Sequence, residues 1–259
     1  MGTVTKALSL LTFFSPDRTE IGLSELARLS GVNKATVYRL MCEMQAAGFV
    51  EQAGGERAYR LGSEVMRLAA LRDAAVPLLA VSREVCAQLS AATGETAHMS
   101  QVQGKRLITL TYSYSTAHAA RVMMEDAEVL AFHATGSGLA VLAFADPDLV
   151  DGVLGAPLQA FTARTCVDPT ALRRVLDQVR THGVAESIGG FEAEVHSQAA
   201  PIFGADQRPV GALAVAAPEG RVTTETRHNI RTQVRAHAQS LTRRIGGFAP
   251  AVYPAQEVS

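Results

Sequence analysis

Residues 23–47, LSELARLSGVNKATVYRLMCEMQAA, decide the fold of the first part of this chain. Two short amphipathic segments meet at Ser30-Gly31-Val32-Asn33, a gap long enough only for a tight turn. The first segment is expected to bury Leu23, Leu26, Ala27 and Leu29. The second carries Val37, Leu40, Met41 and Met44 at i, i+3, i+4 and i+7, an apolar stripe of helical period. Its other face presents Lys34, Thr36, Tyr38, Arg39 and Glu43, side chains that reach phosphates and base edges. Two helices, a glycine-containing turn and a polar second helix make a helix-turn-helix, whose second helix enters the DNA major groove.

The flanking residues extend that reading. Residues 3–14 predict a first helix with Val4, Ala7, Leu8 and Leu11 on one face, broken at Ser15-Pro16-Asp17. Ser24 is the expected N-cap of the second helix and Asn33 that of the third. After Gly48, residues 49–52 and 57–61 flank Ala53-Gly54-Gly55-Glu56 and predict a β-hairpin. A hairpin directly after a recognition helix is the wing of a winged helix, and Arg57 and Arg60 are placed to touch the DNA backbone from it.

Residues 64–75 then predict a linker helix, Pro77 interrupts it, and a further helix runs to about residue 92, ended by Thr93-Gly94. From Glu95 the character changes. Short strands are expected at 96–102, 107–114, 121–124, 128–131, 184–187, 197–203 and 209–217. Helices are expected at 136–144 after Thr135, at 169–182 after Asp168, and from Thr223 or Thr224 to about 245. The fold class is therefore α+β: an N-terminal winged helix-turn-helix domain (1–62), a linker helix (63–76), an α+β domain (77–246), and a disordered tail (247–259).

Composition bounds the function. The 259 residues suffice for two ordinary domains, and 47% apolar with 19% charged residues suits a soluble globular protein. No run approaches the roughly 18 apolar residues of a membrane span, and the N-terminus lacks the basic start and cleavage site of a signal peptide. Cys42, Cys86 and Cys166 are scattered, which fits a reducing cytoplasm and argues against a disulfide framework or a cysteine zinc site. Net charge is −1, and residues 1–60 carry Lys6, Arg18, Arg28, Lys34, Arg39, Arg57 and Arg60 against Asp17, Glu20, Glu25, Glu43, Glu51 and Glu56. Affinity for DNA would then rest on where the charges sit and on two copies acting together.

In this order of elements the chain resembles the IclR family of bacterial transcription regulators. The resemblance rests on Ala7–Leu11 (ALSLL), Leu23–Met41, the GFVEQ and YRLG ends of the wing, and TGETAHMS at 93–100. HATGSGLAVLAF at 133–144 and GGFEAEVHSQAAPIF at 189–203 complete it, with the strand at 211–218 following. It implies a GAF-like effector-binding domain, homodimers or tetramers, palindromic double-stranded operator DNA, and a small-molecule effector. The pocket it implies lies at Met123, Gly136, Ser137, Ser187, Ser197, Ala214 and Ala216. The backbone N–H groups at Gly136 and Ser137 suit a carboxylate. The family often has aspartate at Ser187, cysteine at Ser197, serines at Ala214 and Ala216, and a basic residue at Leu139. The loss of the serine hydroxyls at Ala214 and Ala216 implies a less polar pocket and an organic acid with an apolar or aromatic body, and Leu139 cannot carry a charge-linked role that the basic residue would.

Plainer readings compete. Any helical hairpin buries a stripe like that of 37–44, Tyr38 can be half-buried packing, and Lys34 and Arg39 can be solvated charges that touch only phosphate. His98, His133 and His196 lack metal-ligand spacing, so no metal or cofactor is expected. Ser197 and His196 are neighbours on a strand and face opposite ways, so they make no nucleophile–base pair. Met123 and Met124 alternate, and only one can line a pocket. Phe132 and Phe191 read equally well as core. An enzyme on residues 95–245 would need an acid–base or metal constellation, and none is visible. A protein-interaction module built on the helical hairpin would show no salt-dependent DNA binding.

Overall fold

The computed structural model describes residues 2–15, 18–53, 58–75 and 78–254. The chain divides into two compact units, Met1–Val76 and Pro77–Ser259. Arg57 and the Gly54-Gly55 turn lie outside the described residues.

The first unit holds α1 (Thr3–Leu11), α2 (Leu23–Ser30) and α3 (Lys34–Ala46) beside a small antiparallel sheet. Its strands are β1 (Ile21–Gly22), β2 (Val50–Gln52) and β3 (Ala58–Leu61), in the order β1-β3-β2. Val37, Leu40, Met41 and Met44 of α3 are buried with Leu10, Leu26, Ile21, Val50 and Tyr59, so the apolar stripe read from the sequence is the core-facing one. Leu23 and Ala27 pack against this core half-buried. Gly31 takes a left-handed φ of 66° and stops α2. Asn33 then caps α3, its Oδ1 accepting the Ala35 N–H at 2.9 Å.

Three expectations change here. α1 ends at Leu11 rather than residue 14. β1, unforeseen, pairs Ile21 with Tyr59. The chain therefore enters α2 straight from a strand, and Ser24 falls inside the first turn; the N-cap is Gly22, with no side-chain cap bond. The wing ends where Gly62 donates its N–H to the Phe49 carbonyl at 2.9 Å. A Cβ on Gly62 would stand 2.2 Å from the Gly48 carbonyl oxygen, so the chain leaves β3 through a gap only glycine fits. α4 (Ser63–Ala75) follows.

The second unit is built on a six-stranded antiparallel sheet in the order β6-β5-β4-β9-β8-β7. These strands are β4 (Thr96–Gln103), β5 (Arg106–Ser113), β6 (Val129–Leu130), β7 (Ala185–Ile188), β8 (Val195–Phe203) and β9 (Pro209–Pro218). β9 is central and buried along most of its length, so it reads as a continuous apolar run. On one face, Ala212 and Ala214 share a core with α6 (Gly136–Leu142), α7 (Pro147–Leu154) and α8 (Pro169–His182). By alternation Leu213 and Val215 face the other way. α5 (Leu78–Thr93) and α9 (Thr224–Arg244) pack on each other and on the sheet. The caps read from the sequence hold: Thr135 accepts from the Gly138 N–H, Asp168 from Thr170 and Thr223 from Thr226.

Two expectations fail in this unit. Residues 121–124 are not a strand. Side chains take their backbone groups instead: Thr96 Oγ1 donates to the Val122 carbonyl at 2.9 Å, and the Met124 N–H donates to Tyr114 Oη at 3.1 Å. The tail is not disordered from residue 247. The Phe248 N–H donates to the Gly204 carbonyl, and the Tyr253 ring packs on Phe144 and Phe203 at centroid distances of 5.3 Å. The Tyr253 hydroxyl donates to the Gly183 carbonyl at 2.9 Å. Aromatic burial outweighs the disorder that Gly246-Gly247 and the prolines suggest; residues 255–259 lie outside the described residues.

Candidate functional site

The outward face of α3 carries the residues expected to read DNA. Asn33, Lys34, Tyr38 and Arg39 are exposed, Tyr38 by 55%, and Thr36 is half-buried at the start of the helix. Asn33 gives its carbonyl oxygen to the cap, leaving its amide N–H₂ outward for a partner. Cys42, one turn beyond Tyr38, pushes the Tyr38 phenol above its ordinary pKa, so it stays a neutral hydrogen-bonding group. On the wing, Arg60 Nε donates to Glu51 Oε1 at 2.7 Å across the β2–β3 pair. This exposed ion pair aims the guanidinium and contributes little stability. Arg57, the other wing residue expected here, lies outside the described residues.

The second site is a cavity in the larger unit, about 450 Å³ of empty space counting its open mouth. Strand register builds its floor. Ser187 pairs with Ser197, Ser197 with Ala216, and Ala216 with Thr96, one row across β7, β8, β9 and β4. Ser187, Ser197 and Ala216 line the cavity. The next row inward, Ala185, Ala199 and Ala214, lies in the core with α6, which is why Ala214 is not at the cavity although it shares a face with Ala216. The long side chain of His98, register partner of Ala214, does reach it.

Other expected residues are displaced. Met123 is 62% exposed, and its neighbours Val122 and Met124 line the cavity instead. Gly136 and Ser137 sit behind the wall. A Cβ on Gly136 would meet Ser197 Oγ at 2.7 Å, so glycine lets α6 close on β8. Ser137 is fully buried and shares a 3.2 Å hydrogen bond between its Oγ and His98 Nε2. The next amide of that helix start is already used, because the Gly138 N–H donates to Thr135 Oγ1 at 3.0 Å. Ser187 donates its hydroxyl to the Ala134 carbonyl at 2.7 Å.

The remaining wall was not legible as a site. Val122, Met124, Leu130, Phe191 and Val195 make it apolar, and Phe191 packs against the core as well as lining the cavity. Glu128 and Glu192 also line it, and no lysine or arginine among the described residues does. Burial raises the Glu128 carboxyl above its usual range, helped by the negative charges of Glu192 and Glu125; burial likewise raises Glu192. His98 is buried, and desolvation lowers it to about 4, so it is neutral near pH 7 and offers no cation. Its Nδ1 is buried without a hydrogen-bond partner among the described residues. The three histidines serve separate places: His98 on Ser137, His133 donating to the Gln159 carbonyl, and His196 on Glu186. Among the described residues no group of three or more His, Cys, Asp or Glu is placed to hold a metal, and no helix is long and apolar enough to cross a membrane.

Comparison with known proteins covers both units. Residues 3–54 match the family model described as IclR helix-turn-helix domain, and residues 72–243 match that described as bacterial transcriptional regulator IclR C-terminal. The fold is similar to the crystal structure of a putative IclR transcriptional regulator from Silicibacter sp. TM1040. Identity is 59%, TM-score 0.86, and coverage 98% of this chain and 100% of that one. The HTH-type transcriptional regulator BhcR of Paracoccus denitrificans is 30% identical over 226 residues, 84% of this chain and 78% of that protein. An IclR homologue from Microbacterium hydrocarbonoxydans, solved in complex with 4-hydroxybenzoate, is 25% identical with a TM-score of 0.57, covering 93% and 99%.

Proposed function

The chain belongs to the IclR family, whose members are transcriptional regulators and not enzymes, and from that premise we propose that it is a ligand-responsive switch on a catabolic or metabolic operon, acting in the cytoplasm. The observation that carries the reading is α3, which buries one stripe completely and turns Lys34, Tyr38 and Arg39 outward beside a wing. Lys34 and Arg39 hold phosphates or read guanine; Asn33, Thr36 and Tyr38 contact backbone or base edges. Arg57 and Arg60 clamp from the wing.

The first unit has nearly balanced charge, so one copy binds DNA weakly. A homodimer or tetramer on a palindromic site places two recognition helices in successive major grooves and multiplies the affinity. The cavity of the second unit holds a small organic effector, a reading supported by its apolar wall and by the ligand-bound relative. Effector and DNA are coupled through α4, and the coupling is reciprocal: operator DNA changes effector affinity by the same factor. That effector is an organic acid with an apolar or aromatic body, as the family resemblance implies and as 4-hydroxybenzoate is in the ligand-bound relative; Glu128 and Glu192 lie beside it at the cavity.

An electrophoretic shift assay on the DNA upstream of the gene, at stated salt, tests the reading. Lys34→Ala and Arg39→Ala should weaken specific binding well beyond Arg243→Ala, an exposed position at the end of α9. Equal losses at all three positions would sink the assignment of α3 as the reader.

A further inference from the structure

Two irregular segments wall the cavity of the second unit. Residues 114–128 supply Val122, Met124 and Glu128, and residues 189–195, between β7 and β8, supply Phe191, Glu192 and Val195. Side chains hold both. Thr96 and Tyr114 bind the first wall, and Thr162 and Thr165 donate their hydroxyls to the Gly189 and Gly190 carbonyls of the second at 2.6 Å. One 3₁₀ turn, Glu219–Arg221, between β9 and α9, reaches both walls. Towards the second wall, the Glu219 N–H donates to the Glu194 carbonyl at 2.7 Å. Glu219 Oε1 accepts from Arg164 Nη1 at 2.8 Å, and Arg164 Nη2 donates to the Ala193 carbonyl. Towards the first wall, Arg221 Nη2 donates to the Ala120 carbonyl at 3.0 Å. Arg221 is itself fixed by both carboxylate oxygens of Glu95, at 2.6 and 2.7 Å, and the Glu95 side chain is only 2% exposed. Glu219 and Arg221 stand outside the cavity lining.

We propose that this turn is a clasp that ties the two cavity walls together, and that Glu219 and Arg221 are positioning residues for the effector. The role in effector binding rests on the reading of this cavity as the effector site. A ligand that fills the cavity presses on both walls, and the turn that joins them must follow. α9 begins only three residues after Arg221, capped by Thr223, so the movement reaches the first turn of α9, which packs on α5. The two arms of the clasp differ in strength. Arg164 and Glu219 are 45% and 38% exposed, and water screens their pairing. The Arg221–Glu95 arm is mostly buried, and breaking it would strand a carboxylate out of water. The Arg164 arm therefore releases first, and the mouth opens on the side of residues 191–194.

Hydrogen exchange on the full chain without ligand, read by mass spectrometry, tests the clasp. The reporters are the Met124 amide on the first wall, bonded to Tyr114, and the Val195 amide on the second, bonded to the Glu192 carbonyl. Arg164→Gln and Glu219→Gln, both at exposed positions, should speed exchange about tenfold at Val195 and, across the mouth, at Met124. Glu95→Gln combined with Arg221→Gln strands no buried charge and should speed Val195 from the other side. The Leu139 amide in α6 should keep its wild-type rate, which separates a released clasp from general loss of structure. A Met124 rate unchanged in both Arg164→Gln and Glu219→Gln overturns the inference, because the arms would then be independent struts. Calorimetry with 4-hydroxybenzoate and hexanoate separates the clasp from the effector reading. Arg164→Gln should weaken the binding of an acid that the wild type takes up by about tenfold. Unaltered affinity in Arg164→Gln and Glu219→Gln overturns the positioning role and leaves the effector site standing. Coupled walls with neither acid bound leave the clasp standing and remove the acid effector.

Discussion

His98 should make the second unit sensitive to mild acid. Its imidazole is 5% exposed and carries a pKa lowered by desolvation to about 4, against 6.5 in an unfolded chain. The folded form therefore resists a proton that the unfolded form takes. The stability tied to His98 is full above the unfolded pKa of 6.5 and is lost as pH falls through 6.5 towards 4. Linkage over that interval gives a loss of about 2 kcal/mol between about pH 7.5 and about pH 5. Glu128 and Glu192, whose pKa values are raised, act in the opposite sense, since protonating them favours the folded state. A difference between proteins isolates the histidine. The unfolding free energy of the wild type minus that of His98→Gln, from urea titrations of the full chain, should fall by about 2 kcal/mol over that range. Side-chain ¹⁵N NMR of labelled histidine should place the His98 titration well below 6.5. A flat difference from neutral to pH 5, or a His98 titration near 6.5, would refute the burial argument and with it the claim that the cavity holds no cation of its own.

Other parts of the molecule give sharp tests. Lys34→Ala should flatten the dependence of log Kd on log salt by about 0.9 for each phosphate that Lys34 neutralises, measured by fluorescence anisotropy on operator DNA. Gly62→Ala forces a Cβ to 2.2 Å from the Gly48 carbonyl oxygen, so the first unit should unfold at lower temperature and DNA binding should fail, while the second unit keeps its own melting transition. Tyr253→Phe leaves the Gly183 carbonyl without its 2.9 Å partner and should cost about 1–3 kcal/mol in chemical denaturation. Asp168→Ala removes the α8 cap and should cost about 1 kcal/mol by the same measurement.

The legible parts of this fold are those where local rules act alone. Asn33, Thr135, Asp168 and Thr223 cap helices as their side chains dictate, and the stripe at Val37, Leu40, Met41 and Met44 finds the core because helical period leaves it no other face. The illegible parts depend on partners distant in sequence. β1 exists because Ile21 meets Tyr59, nearly forty residues on. α7 is short, starts on Pro147 and contains Gly152, so its pattern resembles a loop until α6 and α8 cover it. Residues 121–124 look like a strand, but Thr96 and Tyr114 bind their backbone first. The site divides the same way. Ser187, Ser197 and Ala216 were legible through the family resemblance, and strand register brings them together. Glu128, Glu192 and Val122 were not, because they reach the cavity from segments that form neither helix nor strand in the structure.

The row of pairings across the larger sheet also bears on how the chain folds. β4 and β9 seal its middle by joining residues 96–101 to residues 211–216, so the central ladder forms only after a very long loop has closed. The first unit asks much less, since its widest strand pairing spans residues 21–59. Pairings so close in sequence favour folding in milliseconds or less, ahead of the slower sheet. A newly made chain would then carry a finished DNA reader before its sensor exists. In a stopped-flow refolding experiment two phases should separate, with Tyr59 burial in the fast phase and Tyr253 burial in the slow one.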